Sequence, residues 1–156
     1  MSRLQARVAE AATRFDHLRL PAPGLLGPPD SETGERWSVR NVMGHMSEAL
    51  PFWTDQVRQI LAGVTETGRG DAGNVRRRQG IEAKSNDTGD QLRGRMSGAI
   101  QEVSDVLATL KDPDLDREFL HRARNGDRRM RLGQFIDELL VGHLEEHVKQ
   151  ISEISE

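Results

Sequence analysis

An all-α four-helix bundle with a long crossover between its second and third helices is the fold this sequence predicts. Three observations point to it. Four segments repeat their apolar residues with the period of a helix, no segment carries a convincing two-residue strand period, and stretches rich in Pro, Gly or charge separate the four. Four amphipathic helices with no strand between them bury their stripes most simply against one another. A chain of 156 residues is long enough to do so around one core, so residues 1–156 are read as a single domain.

The first helix carries Leu4, Val8, Ala11, Phe15 and Leu18 on one stripe and stops before Pro21. From Pro21 to Gly34 the density of Pro and Gly predicts no regular structure. Ser38 is placed to cap the second helix, with Trp37 before it and Val42 inside forming a hydrophobic staple. The apolar face then runs Val39, Val42, Met46, Ala49, Trp53, Val57 and Ile60 and fades at Gly63, with Pro51 expected to kink or loosen it.

Gly63 to Asn86 is Gly-rich and charged, with Arg76-Arg77-Arg78 at its middle, and reads as a long mobile crossover. Thr88-Gly89-Asp90-Gln91 is a capping-box pattern that opens the third helix. That helix carries Leu92, Met96, Ala99, Ile100, Val103, Val106 and Leu110 and ends before Pro113. Asp114 to Arg131 reads as irregular, with Asn125-Gly126 as a turn. The last helix has the cleanest period: Leu132, Phe135, Ile136, Leu139, Leu140, His143, His147, Ile151 and Ile154.

Composition excludes several classes of function. With no cysteine there is no disulfide framework and no thiolate metal site, and thiol chemistry would need an external thiol. A formal charge of -3 and the absence of Tyr argue against nucleic acid as a partner. No apolar run approaches a membrane span, and Met1-Ser2-Arg3-Leu4-Gln5 leads into a polar periodic segment without an apolar signal region. The expectation is a cytoplasmic protein that binds no membrane.

The strongest local signal is His143-Leu144-Glu145-Glu146-His147. Residues four apart stack on one helix face, so both imidazoles can reach one ion. Both lie within roughly 30° of the centre of the predicted apolar stripe, where two neutral imidazoles need partners. Such a pair also arises as a helix-surface feature or as two hydrogen-bonded core residues. The zinc-protease motif needs Glu directly after the first His, and Leu144 stands there, so that chemistry is excluded. His45 falls on the edge of the second helix's face, roughly 90° from its centre, and by itself is a boundary histidine.

Together these residues resemble a family. Trp37-Ser38-Val39-Arg40-Asn41-Val42-Met43-Gly44-His45 is similar to the opening of the second helix in DinB-like proteins. Gly133-Gln134-Phe135, His143-x-x-x-His147 and Gln150-Ile151 resemble that family's last helix. Asn41 departs from the acid common at its position, and Pro51 is atypical. The resemblance implies a DinB-type four-helix bundle in which His45, His143 and His147 ligate one divalent transition metal. Zinc or nickel comes first, with iron or manganese also compatible, since imidazoles discriminate weakly among them. The fold is shared with YfiT-like hydrolases, mycothiol-dependent maleylpyruvate isomerase and bacillithiol transferases. The implied activity is therefore a metal-dependent thiol S-transfer or hydrolysis, with a low-molecular-weight thiol or an electrophile as partner and a homodimer as assembly. The alternatives are a metal-binding stress-response or ligand-binding protein without turnover, and a helical module that binds no metal.

Other residues carry weaker signals. Glu48 and Glu146 each lie about one turn from a histidine and read chiefly as solvated charges. Arg122, Arg124, Arg128, Arg129 and Arg131 read first as a solvated hairpin and second as a substrate clamp. Trp37 and Trp53 read as core packing, with Phe52 and Gln56 in the column below His45. His17 and His121 have no partner at ligand spacing.

Overall fold

The computed structural model describes residues 2–21, 24–29, 34–84 and 86–155. Four helical stretches build the bundle: α1 (Ser2–His17), α2 (Val39–Leu61), α4 (Gly89–Thr109) and a last stretch from Leu132 to Ser155. That last stretch is composite. It begins as α5 (Leu132–Phe135), widens into a π-helical turn over Ile136–Gly142, and continues as α6 (His143–Ser155). The core between them is chiefly apolar, with Val8, Phe15, Met46, Val57, Met96, Val103, Leu140 and Ile151 fully buried.

Local chemistry fixes the helix starts. Ser38 Oγ accepts from the Asn41 backbone N–H, and Asn41 Oδ1 accepts in return from the Ser38 backbone N–H at 3.0 Å. Asn thus performs the reciprocal bond usually made by Glu or Gln, and such a cap contributes about 1 kcal/mol. Thr88 and Gln91 form the same box at the start of α4. Pro51 does not interrupt α2, which runs unbroken from Val39 to Leu61.

Three irregular or mobile segments of the sequence reading are ordered elements instead. Within residues 21–34, the described part includes β1 (Leu26–Pro29), which pairs antiparallel with β2 (Arg36–Ser38) through an irregular register. This ribbon leans on the end of α6, where a Cβ on Gly27 would come within 2.9 Å of Ile154.

The crossover is not a mobile loop. It contains β3 (Glu66–Gly68) and a fifth helix, α3 (Gly70–Lys84), packed along α2. Glycines let the two helices approach: a Cβ on Gly80 would meet Glu48 Cγ at 3.3 Å, and one on Gly44 would meet Ile81 O at 3.8 Å. Tertiary contact, not an apolar stripe, supports this helix.

The region after α4 is also regular. A short 3-10 helix (Asp112–Asp116) leads into β4 (Glu118–Arg122), which turns at Asn125-Gly126 into β5 (Arg128–Arg131). Gly126 takes φ +120°, which suits glycine, and closes the turn through its N–H to Ala123 O at 3.1 Å. β4 pairs antiparallel with β5 and parallel with β3, placing Thr67 opposite His121. Phe119 and His121 alternate inward along β4. Among the described residues, no helix is long and apolar enough to cross a membrane.

Candidate metal centre

His45, His143 and His147 come together. One ring nitrogen from each lies within 4.8 Å of the others, and His45 Nε2 stands 3.0 Å from His143 Nε2. The ring centroids are 4.4 Å apart for the pair on α6, and 5.0 and 5.2 Å from each of these to His45. The spacing of four on α6 explains the first pair, and the packing of α2 on α6 brings in the third.

Burial departs from the sequence reading at two places. His45 is only 4 % exposed rather than at a boundary. Trp37 and the two histidines of α6 pack on its ring, while α3 covers the adjoining side of α2 at Gly44. Conversely, His143 and His147 are not at the centre of the buried stripe of α6. That stripe is Leu144, Val148 and Ile151, and each histidine sits one residue before a stripe position. The π turn just upstream accounts for this, because its wider turn rotates the following face relative to the preceding one.

The surroundings keep all three rings neutral. Burial, followed by the neighbouring histidines and then Arg77 and Arg69, holds His45 far below the ordinary histidine range. His143 is pushed down to about 3, mainly by burial and then by His147. Burial also lowers His147, against the raising effect of its hydrogen bond to Gln150. That bond, 2.7 Å between His147 Nδ1 and Gln150 Oε1, requires Nδ1 to donate and leaves the Nε2 lone pair free. His45 Nδ1 is buried with no hydrogen-bond partner among the described residues.

The donor set fits a divalent transition metal. Ligand bonds of about 2.0–2.1 Å place neighbouring imidazole nitrogens about 3 Å apart, which the His45–His143 separation already meets. Two ordinary alternatives fit less well. The histidines do not lie on the surface, and a hydrogen bond between the neutral His45 and His143 rings at 3.0 Å would engage only two of the three rings and leave His147 outside it.

Trp37 roofs the cluster. Its ring lies edge-on to His45 at 5.2 Å and is stacked with His147 at 6.3 Å, while its indole N–H donates to Glu35 at 3.1 Å. Trp37 packs against the core, as read, and its partly exposed ring also belongs to the site. Glu48 is held by Arg69 in a two-bonded ion pair (2.5 and 2.9 Å), and Glu146 is exposed. Arg69 also lies 4.0 Å over the Phe52 ring. Gln56 accepts from the Gly68 N–H at 3.3 Å, tying β3 to α2.

Sequence reasoning missed Arg69, whose partner Glu48 lies on another element, and His121, whose Nδ1 is 3.0 Å from Thr67 Oγ1. Neither carries a local motif that could have marked it. Of the five arginines read as a hairpin, Arg122 pairs with Glu66 and Asp127, and Arg128 pairs with Glu138, as a solvated hairpin should. His17 is exposed and bonds only within α1.

Among curated proteins and among solved structures, nothing matches the chain significantly. A family model does match, that of the DinB superfamily, over residues 3–151. With that match spanning nearly the whole bundle and both histidine-bearing helices, the chain belongs to the DinB superfamily.

Proposed function

We propose that this protein holds one divalent transition metal through His45, His143 and His147 and uses it in thiol S-transfer on a small electrophile. One observation carries the reading: three neutral imidazoles from two helices converge within 4.8 Å, with no carboxylate among them. When bound, such an ion supplies Lewis acidity to an exogenous ligand at a position the protein leaves open.

The chain's own residues then have distinct tasks. His45 fixes the site from α2 and the α6 pair fixes it from the other side. Gln150 sets the tautomer of His147, and Trp37 shields the rings from bulk water. Burial favours metal over protons, since neutral imidazole is the ligand form.

Thiol transfer is favoured over hydrolysis by the carboxylates. Hydrolysis on such an ion, which itself acidifies bound water, gains further from a general base beside the attacking water. Glu48 is engaged by Arg69 and Glu146 faces solvent, so neither is available. A thiol is acidic enough to lose its proton to solvent, and its sulfur then bonds to the electrophilic carbon as the leaving group departs. The protein has no cysteine, so the thiol must come from outside.

The test is metal content and thiol binding together. Protein purified without a metal-affinity tag should carry about one transition-metal ion per chain, lost in a folded His143→Ala variant. The cobalt-substituted protein should gain a sulfur-to-metal absorption band on adding a low-molecular-weight thiol. No metal after incubation with zinc, nickel or manganese would end the metal reading. Metal without the thiol band would end the S-transfer reading and favour metal binding without turnover.

A further inference from the structure

A second feature is a cleft of about 440 Å³ between the start of α3 and the β4–β5 turn. Its size falls in the range of small-molecule sites, about 300–1,000 Å³. Trp53 forms one wall, braced by Phe52, Phe135 and His121 at centroid distances of 4.8, 5.7 and 5.8 Å. An indole held this way cannot swing aside, and the Arg69 guanidinium, which also lines the cleft, lies 5.2 Å from its ring centre.

His121 supplies the polar contact. It is 5 % exposed, with Nδ1 occupied by Thr67 Oγ1. Its Nε2 has no hydrogen-bond partner among the described residues, yet it is not sealed in as His45 Nδ1 is. A ring nitrogen this deep needs a partner, and the cleft it lines is where one can enter. An acceptor at Nε2 selects the tautomer in which the Thr67 hydroxyl donates to Nδ1 and Nε2 carries the proton.

The charges select the partner. Arg69 is matched by Glu48, and Arg122 by Glu66 and Asp127. Arg124, on the rim, has no ion pair among the described residues; half-buried Arg77, outside the cleft lining, feels Arg69 and Arg124 on one side and Glu48 and Glu35 on the other. Besides Arg124 the rim carries Arg69 and Arg122, already paired, and among the described lining residues one carboxylate, Asp71. Arginine without a carboxylate of its own suits a planar oxyanion.

We infer that this cleft is a binding site for a small aromatic carboxylate, its ring against Trp53 and its carboxylate between His121 Nε2 and Arg124. The site is made by residues other than the three clustered histidines, so it does not depend on a metal.

The chain has two tryptophans, so its two indole N–H signals in a nitrogen-15 NMR spectrum are assigned by the one lost in Trp37→Phe. Wild-type protein in chelator is titrated with 2-naphthoic acid and, separately, with its methyl ester. The acid should shift the Trp53 signal saturably and bind at least about tenfold more tightly than the ester. Arg124→Glu, an exposed change that should leave the fold intact, should weaken the acid about tenfold and leave the ester alone. Equal binding of acid and ester, an unmoved Trp53 signal, or an Arg124→Glu variant that binds normally would each overturn the assignment. So would loss of binding in folded His143→Ala, which would place the anion at the histidine cluster.

Discussion

Replacing Glu48 by Gln removes the only carboxylate paired with Arg69 among the described residues. The two side chains are 15 % and 9 % exposed, and two hydrogen bonds of 2.5 and 2.9 Å join them. Breaking a fully buried ion pair by deleting one partner costs about 3–5 kcal/mol, because the other charge is left uncompensated. The residual exposure and the Phe52 ring beneath the guanidinium, at 4.0 Å, soften the loss, so about 3 kcal/mol is expected. With a urea slope of about 2 kcal/mol per molar, the unfolding midpoint falls by about 1.5 M. Glu48→Gln/Arg69→Met should recover at least half of that, since no orphaned charge remains. A shift below about 0.3 M in the single variant, or strict additivity in the double, would refute the idea that this pair clamps the crossover to α2.

Three further outcomes follow from the same structure. The metal-free protein should lose stability as pH falls from about 6.5 towards 4.5: burial depresses His45, His143 and His147, so the unfolded chain binds more protons. His45 and His143 each contribute up to about 1.4 kcal/mol per pH unit in that window and His147 adds in the same direction; urea midpoints unchanged between pH 7 and 5 would contradict the burial. Thr54→Val should stabilise the fold by about 1 kcal/mol in the same assay, because the Thr54 hydroxyl is fully buried without a partner among the described residues; destabilisation would show that it has one. Gln150→Leu should weaken zinc affinity about 10- to 100-fold in a chelator competition by freeing the His147 tautomer, and an unchanged affinity would remove Gln150 from the site.

The four bundle helices were legible because each carries its own periodic stripe and, for α2 and α4, its own cap. The three histidines were legible through one local spacing plus the resemblance of the segment around His45. What the sequence hid depends on contacts between distant segments. Helix α3 has almost no apolar stripe and persists because Gly80 fits against Glu48 and Arg69 is anchored beside it. Strand β3 is three residues long and exists only through its parallel pairing with β4. The alternation of Phe119 and His121 was present in the sequence, but the arginines around it masked a two-residue period. The π turn at Ile136–Gly142 leaves no local trace, so the face of α6 was placed about one residue off.

The central claim is that three imidazoles share one ion, and anomalous diffraction tests it most directly. Crystals grown with zinc and measured on either side of the zinc absorption edge should give one strong peak per chain, bonded to His45, His143 and His147. A peak elsewhere, or one touching fewer than three of these rings, would contradict the account.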